Sequence, residues 1–315
     1  MKLLFVVDPL PSFKTHKDST FAMMREAARR GHDIWACEPH EIVWHRDGRV
    51  QARCERITLT GHPTDWYTVA EEAALALADA DAVLMRKDPP FDAEYLYTTH
   101  LLSQAEREGA RVFNSPQALR EHPEKLAIMA FPQFIAPTIV TRDIEAVRAF
   151  HAAHRDVILK PLDGMGGAGI FRVKDDGLNL GSIAETLTRD GTQTIMVQRF
   201  LPAIEHGDKR VLLIDGVPVP FALARIPQGG EVRGNLAAGG KGVAQPLSES
   251  DLAIANQLGP ILAARGLLLV GLDIIGDRLT EINVTSPTCF QEITDQMGFD
   301  VAARFIDALE ARLKA

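Results

Sequence analysis

Over its first 120 residues the chain repeats one pattern, a short apolar run followed by a segment with helix-start and helix-stop residues. LLFVVD (3–8) reads as a strand, and DSTFAMMREAARRG (18–31) as a helix with Asp18 or Ser19 at its N-cap and Gly31 as its stop. DIWACE (33–38) reads as a second strand. A less regular stretch follows, then a helical WYTVAEEAALALADA (66–80) and the strand AVLMR (82–86). DAEYLYTTHLLSQAEREG (92–109) reads as a helix ending on glycine, ARVFN as a strand, and NSPQALREH as a helix capped by Ser115 with Pro116 in its first turn. Strands alternating with helices predict a layered α/β unit on a largely parallel sheet.

From about residue 121 the texture changes. Short strands such as DVILKPL, AGIFRV and TIMVQRF sit among short helices, and KRVLLIDGVPVPFALARI reads as a hairpin turned at Asp215-Gly216. The segment 226–242, IPQGGEVRGNLAAGGKG, is glycine-dense, lacks apolar periodicity and is bounded by structured segments, so it reads as a mobile loop. A helix from about Glu249 to Arg265, the strands LLLVGLDII and LTEINV, and a closing helix complete the chain. The expected organisation is therefore α/β (α+β) in three units: 1–121, 122–200 and 201–315.

The net charge of −8 argues against a broad nucleic-acid or anionic-membrane surface. The three cysteines show no C-x-x-C spacing and cannot all pair within one chain, which favours a reduced, cytoplasmic setting. The N-terminal apolar run ends at Asp8-Pro9, too soon for a signal sequence, and no run approaches the roughly 18 apolar residues of a membrane span.

Residues i and i+2 of a strand share a face, so LTEINV places Glu281 and Asn283 together. In GLDIIGDRLTEINV a two-residue loop would set Asp273 opposite Thr280, whereas a three-residue loop, 276–278, sets it opposite Glu281. The three-residue loop is expected, joining Asp273, Glu281 and Asn283. Hard oxygen donors without His or Cys suit Mg²⁺ or Mn²⁺ rather than zinc. Alone, the same residues also describe a solvent-facing strand.

LKPLDGMGGAGIFRV adds phosphate chemistry. Lys160 closes a strand, and four glycines, among them Gly164, Gly166 and Gly167, follow within seven residues. Glycines let backbone N–H groups approach phosphate oxygens, although a Gly-rich turn between strands is often only a hairpin. The spacing matches neither the P-loop nor the Rossmann fingerprint. Lys125 is expected on a short helix after Pro123. VQRFLPA (197–203) ends a strand in a kink whose backbone and apolar surface suit an adenine edge. Arg210 and Arg225 bracket the hairpin 210–225, with forks suited to phosphoryl and carboxylate oxygens.

In this order, Lys125, Lys160 before a Gly-rich turn, a kinked hinge and a D…E-x-N hairpin resemble the ATP-grasp superfamily. MRKDPPFD, LKPLDGMGG, LPAIEHGDKRV, ARIPQGGEVRGNLAAGG, VGLDIIGDRLTEINVTSPTC and KDSTFAMM resemble the bacterial glutathione synthetases over essentially the whole chain. Phe200 stands where that hinge often carries tyrosine, and Lys241 where arginine is common.

The resemblance implies an ATP-grasp fold with a pre-ATP-grasp α/β domain, a small lid domain and a C-terminal catalytic domain. It implies a ligase in which ATP phosphorylates the cysteinyl carboxylate of γ-glutamylcysteine and glycine attacks the acyl phosphate. Lys125, Lys160 and the glycines would hold phosphates; Gln198, Phe200, Leu201 and Asp208 would hold the nucleoside. Asp273, Glu281 and Asn283 would hold Mg²⁺ (or Mn²⁺). Arg210, Arg225 and Arg233, the last entering from the loop 226–242 acting as a lid, would stabilise the reacting charge. Ser286 and Thr288 are expected at the glycine carboxylate and Arg86 at the dipeptide. The resemblance also implies a homo-oligomer, a tetramer. Another carboxylate–amine ligase, of the D-alanine–D-alanine type, or a non-catalytic nucleotide-binding module would share part of this set.

Overall fold

The computed structural model describes residues 1–164, 166–230, 233–236 and 239–314. Met165 of the glycine-rich turn, Glu231, Val232, Ala237 and Ala238 of the segment 226–242, and Ala315 at the end of the third unit lie outside the described residues.

The first sheet has seven strands: β1 (Lys2–Val6), β2 (Asp33–Cys37), β3 (Ile42–Val43), β4 (Gln51–Leu59), β5 (Tyr67–Ala76), β6 (Ala82–Met85) and β7 (Val112–Phe113). β2, β1, β6 and β7 run parallel, while β3, β4 and β5 add antiparallel. The helices α1 (Ser19–Arg29) and α2 (Ala93–Arg107) lie between these strands in sequence, and α3 (Pro116–Glu121) follows the last of them. Asp18 is the N-cap of α1, accepting from the Phe21 amide at 2.8 Å. Ser115 holds the N-cap position of α3, but its side chain makes no capping bond; Pro116 at the first helical position removes one of the N–H groups a cap would serve.

The segment 66–80 departs from the expected helix. It is strand β5 followed by a 3-10 turn at Leu77–Asp79. Its Ala and Glu residues favour helix locally, but pairing with β4 from Gln51–Ala76 to Leu59–Tyr67 overrides that preference. The strand lies at the sheet edge, and Glu71 and Glu72 place charge there, Glu71 ion-paired to Arg56 at 3.1 Å.

The second sheet is antiparallel, in the order β10 (Phe171–Val173), β9 (Val157–Pro161), β11 (Ile195–Arg199) and β8 (Thr138–Thr141). The helices α4 (Ile144–His154) and α5 (Leu180–Thr188) close a small core of its own, with Val147, Leu159, Ala184 and Val197 fully buried.

The third sheet is also antiparallel: β14 (Lys241–Pro246), β13 (Val217–Ile226), β12 (Asp208–Ile214), β15 (Leu269–Ile275) and β16 (Arg278–Asn283). β12 and β13 turn at Asp215 and Gly216, both at positive φ (50° and 76°), as a two-residue hairpin requires. Strands extend through Ile226 and start again at Lys241, so the connecting loop is 227–240, shorter than the expected 226–242. The helix α6 (Glu249–Ala264) carries a Ser248–Asp251 capping box. Two helices close the chain rather than one, α7 (Phe290–Met297) and α8 (Val301–Lys314).

The first and third sheets share their apolar cores: Leu4, Val83 and Leu102 cluster with Val211, Leu258 and Ile282. Asn114 joins these sheets by hydrogen bonds. Its side-chain amide donates to Leu269 O (2.8 Å) and Val284 O (2.7 Å), and its oxygen accepts from the Leu269 amide (2.9 Å).

Candidate active site

Side chains across β13, β12, β15 and β16 form a row of charges, basic and acidic in turn as far as Asp273 and ending in a second carboxylate, Glu281. The register pairs Arg225 with Asp208, Arg210 with Asp273, and Asp273 with Glu281. Asp208 and Arg210 sit two apart on β12, so the row lies on one face. Arg210 grips Asp273 through two hydrogen bonds (Nε–Oδ1 2.5 Å, Nη2–Oδ2 3.1 Å), and Arg225 lies 2.9 Å from Asp273 Oδ2 while also bonding Asp208. Such forked, charge-assisted pairs fix both partners' geometry.

Asp273 faces Glu281 by a different route from the one expected. The turn between β15 and β16 has two residues, since Ile275 pairs with Arg278. A β-bulge between the pairs Asp273–Glu281 and Ile274–Leu279 absorbs Thr280, whose hydroxyl donates to Asp273 O at 3.1 Å. The bulge does what a three-residue loop would have done.

Two buried lysines approach this row from other elements. Lys160 is the penultimate residue of β9, and its Nζ lies 3.6 Å from Glu281; Lys125 Nζ lies 3.7 Å from the same carboxylate and donates to Gly164 O at 2.7 Å. Lys125 stands on a turn just before a 3-10 helix at Ala127–Ala130, not on a helix as expected. The Ile282 amide donates to Glu124 O at 2.9 Å, and this strand-like bond holds the turn beside β16.

All of these groups except Arg225 line a cavity of about 600 Å³. Burial disfavours charge here, and neighbours decide how far. Burial lowers the Lys160 pKa, opposed by Glu281. Burial raises the Glu124 carboxyl to about 7, with Glu281 adding to the rise. Burial alone would raise Asp273, but the Arg210 and Arg225 guanidinia outweigh it and hold that carboxyl well below the usual range. Burial raises Asp208 despite Arg225, and Asp208 Oδ1 is buried with no hydrogen-bond partner among the described residues.

The cavity wall brings together Lys125, Lys160, Gly164, Gly166, Gly167, Gln198, Phe200, Leu201, Asp208, Arg210, Arg233, Asp273, Glu281, Asn283, Ser286 and Thr288. Arg225 and Arg86 are absent from that wall. Arg225 stands behind Asp208 and Asp273. Arg86 is buried, donating to Thr20 Oγ1 (3.1 Å) and Pro287 O (3.0 Å), so MRKDPPFD reaches the wall through Asp88 and Pro89 instead. Glu124, Asp18 and Asn235 also line the cavity, and the sequence had pointed to none of them as a site residue. Asp18 was visible as a helix cap; Glu124 has no local pattern, because β16 brings it to the site.

Among the described residues no group of three His, Cys, Asp or Glu gathers closely enough to hold a metal ion. Asp273, Glu281 and Asn283 offer two carboxylates and an amide. Mg²⁺ ordinarily takes one or two carboxylates and completes its shell with water and substrate phosphates, so the donor set fits that ion. No described helix is long and apolar enough to cross a membrane.

Family models match nearly end to end: the prokaryotic glutathione synthetase N-terminal domain over residues 1–120 and the prokaryotic glutathione synthetase ATP-grasp domain over residues 124–298. The glutathione synthetase of Ralstonia nicotianae is 63% identical over 310 residues, covering 98% of this chain and 95% of that protein. That of Nitrosomonas europaea is 57% identical over 316 residues, covering 99% and 98%. Among solved structures, the D-cycloserine synthetase DcsG superposes with a TM-score of 0.70 at 19% identity, covering 99% of this chain and 100% of that one. The ATP-grasp ligase PsnB gives 0.63 at 20% identity, covering 100% and 98%. The two structural likenesses speak for the fold, and the sequence matches for the family: the chain belongs to the prokaryotic glutathione synthetases, ATP-dependent ligases of the ATP-grasp fold.

Proposed function

We propose that the cavity joins γ-glutamylcysteine to glycine, with the charged row and its facing lysines as the phosphoryl- and acyl-transfer apparatus. The observation that carries this reading is the convergence of Lys125 and Lys160 on Glu281, opposite Asp273, in one cavity. Lys125 and Lys160 neutralise ATP phosphates, beside a turn whose Gly164, Gly166 and Gly167 admit close approach. Gln198, Phe200, Leu201 and Asp208 hold the nucleoside. Asp273, Glu281 and Asn283 would hold Mg²⁺, for which Mn²⁺ is the other hard cation suited to these donors. That ion would supply charge neutralisation and orientation at the phosphates.

Arg210 stands at the cavity wall, where its guanidinium stabilises negative charge as the cysteinyl carboxylate becomes an acyl phosphate and glycine adds to it. Arg225 acts from behind, fixing Asp208 and Asp273. Arg233 reaches the Gly-rich turn from the loop, its Nη1 3.4 Å from Gly167 O, and the closed loop excludes water from the acyl phosphate. Ser286 and Thr288 receive the glycine carboxylate, and Arg86 holds their segment through Pro287 O. The units 1–121, 122–200 and 201–315 serve as N-terminal, lid and catalytic domains. The three cysteines are free and buried, in keeping with a reducing cytoplasm, and the assembly is a homo-oligomer, a tetramer by resemblance, which light scattering tests.

The test is ADP release with Mg·ATP and γ-glutamylcysteine, with and without glycine, beside Glu281→Ala. Glycine-dependent turnover that collapses in the variant supports the assignment. Turnover with a different amino-acid pair would keep the phosphate apparatus and overturn the substrate; full activity of the variant would overturn the role of Glu281.

A further inference from the structure

At the apolar end of the cavity, Phe200 is backed by two residues outside the wall, Arg172 and Asp156, that no role above uses. Arg172 on β10 lies with its guanidinium carbon 3.5 Å from the Phe200 ring centroid, within van der Waals contact of the face. Asp156 holds that guanidinium by a fork (Nε–Oδ1 2.9 Å, Nη2–Oδ2 2.6 Å), and its own carbonyl accepts the Phe200 amide at 2.9 Å. One residue therefore anchors Phe200 by its backbone and, through Arg172, by its ring.

We propose that Arg172 is a positioning residue for the nucleotide base, setting Phe200 against it through the stacked guanidinium. The proposal rests on the reading of 197–201 as the base-binding hinge. Phe200 shares the cavity wall with Ala136, Ile158, Ile170, Leu201 and Ile204, an apolar slot suited to a flat purine. Arg172 and Asp156 are not on that wall, and their side chains are 26% and 34% exposed. An ion pair that exposed adds little to stability by itself. Its consequence is geometric: a fork-held guanidinium is planar and preoriented, and it fixes the ring it covers. Asp156 and Arg172 bring the β9–β10 pair to bear on the end of β11, so the lid sheet and the base slot share one anchor.

Calorimetric titration of ADP separates this from a structural role. Arg172→Ala is expected to weaken ADP binding and raise the KM for ATP by about fivefold, the scale of one partly exposed cation–π contact. The maximal rate and the KM for γ-glutamylcysteine should stay within about twofold, and inorganic tripolyphosphate, which has no base, should bind unchanged. In a Phe200→Leu background the same substitution should have no further effect, because the ring through which it acts is gone. Asp156→Asn should reproduce a part of the loss. Equal ADP affinity in wild type and Arg172→Ala overturns the proposal alone, as does an undiminished loss in the Phe200→Leu background. Failure of the folded wild-type chain to bind ADP overturns the nucleotide reading and the proposal with it.

Discussion

Gly271 provides the space that Arg210 occupies. A Cβ on Gly271 would stand 2.8 Å from Arg210 Cδ, closer than folded chains allow, and 3.1 Å from its Nε. Gly271 lies next to Asp273's strand neighbours on β15, so the guanidinium crosses bare backbone to reach Asp273. Gly271→Ala should push Arg210 off Asp273 and lower kcat by roughly 10- to 100-fold, short of the roughly 100- to 1000-fold for losing a preorganised donor outright because the guanidinium is displaced and not removed. Because both changes act on one group, Gly271→Ala combined with Arg210→Ala should be no slower than Arg210→Ala alone. Steady-state rates of the three variants check this, and additive losses would refute it.

Gly167 plays a corresponding part where the loop 227–240 meets the glycine-rich turn. It has φ +83°, and a Cβ there would lie 2.9 Å from Asn235 Oδ1 and 3.1 Å from Arg233 Cδ. Gly167→Ala therefore carries a left-handed backbone cost of about 1 kcal/mol and lifts the loop from its seat. Trypsin should cut after Arg233 or Lys241 faster than in the wild type, by roughly fivefold at equal protease, with kcat falling in parallel. An unchanged cleavage rate would mean that this contact does not hold the loop.

Much of this site was legible because its chemistry lies on strands. Lys160 at a strand end, glycines directly after it, and Glu281 two residues before Asn283 are local spacings, and a strand turns them into shared faces. The less legible parts depend on contacts between distant segments. The register of Asp273 against Glu281 was inferred correctly from a wrong loop length, since the bulge at Thr280 has no marker beyond a threonine in a strand. Segment 66–80 looked helical because Ala, Glu and Leu favour helix, and only β4, paired residue by residue, makes it a strand. Within that strand only Leu75 is buried, so the sequence carries no period of two to mark it. Arg86 drew notice as a charge in a motif, whereas the fold buries it under Pro287 and sends Asp88 to the cavity.

Asn114 is a single side chain serving as a strand edge between two sheets. Asn114→Leu keeps the size but leaves the Leu269 amide, the Leu269 carbonyl and the Val284 carbonyl without their present partner. Buried polar groups left unmatched cost about 1–3 kcal/mol each, so a loss of roughly 3 kcal/mol or more is expected. The urea midpoint at fixed pH reads it. A midpoint shift equivalent to less than about 1 kcal/mol would show that the joint is held by its apolar contacts instead.

His122 should make stability depend on pH in a defined window. Its ring is buried between α3 and α6: Nδ1 donates to Ala118 O at 2.7 Å, and Nε2 accepts from Arg265 Nη1 at 3.0 Å. Burial lowers its pKa below the ordinary 6.5, and the Arg265 charge adds to that, against the bond to Ala118. The folded protein thus binds the proton less readily than the unfolded chain, so acid favours unfolding. The contribution is intact above about pH 6.5 and is lost as pH falls from there through the lower folded value. His122→Gln keeps an acceptor for Arg265 and removes the titration. Between pH 7.5 and 5.5 the wild-type Tm should fall by about 2 °C more than that of the variant, measured by scanning calorimetry at constant ionic strength. Parallel Tm profiles would assign the acid sensitivity to other groups and leave His122 as packing alone.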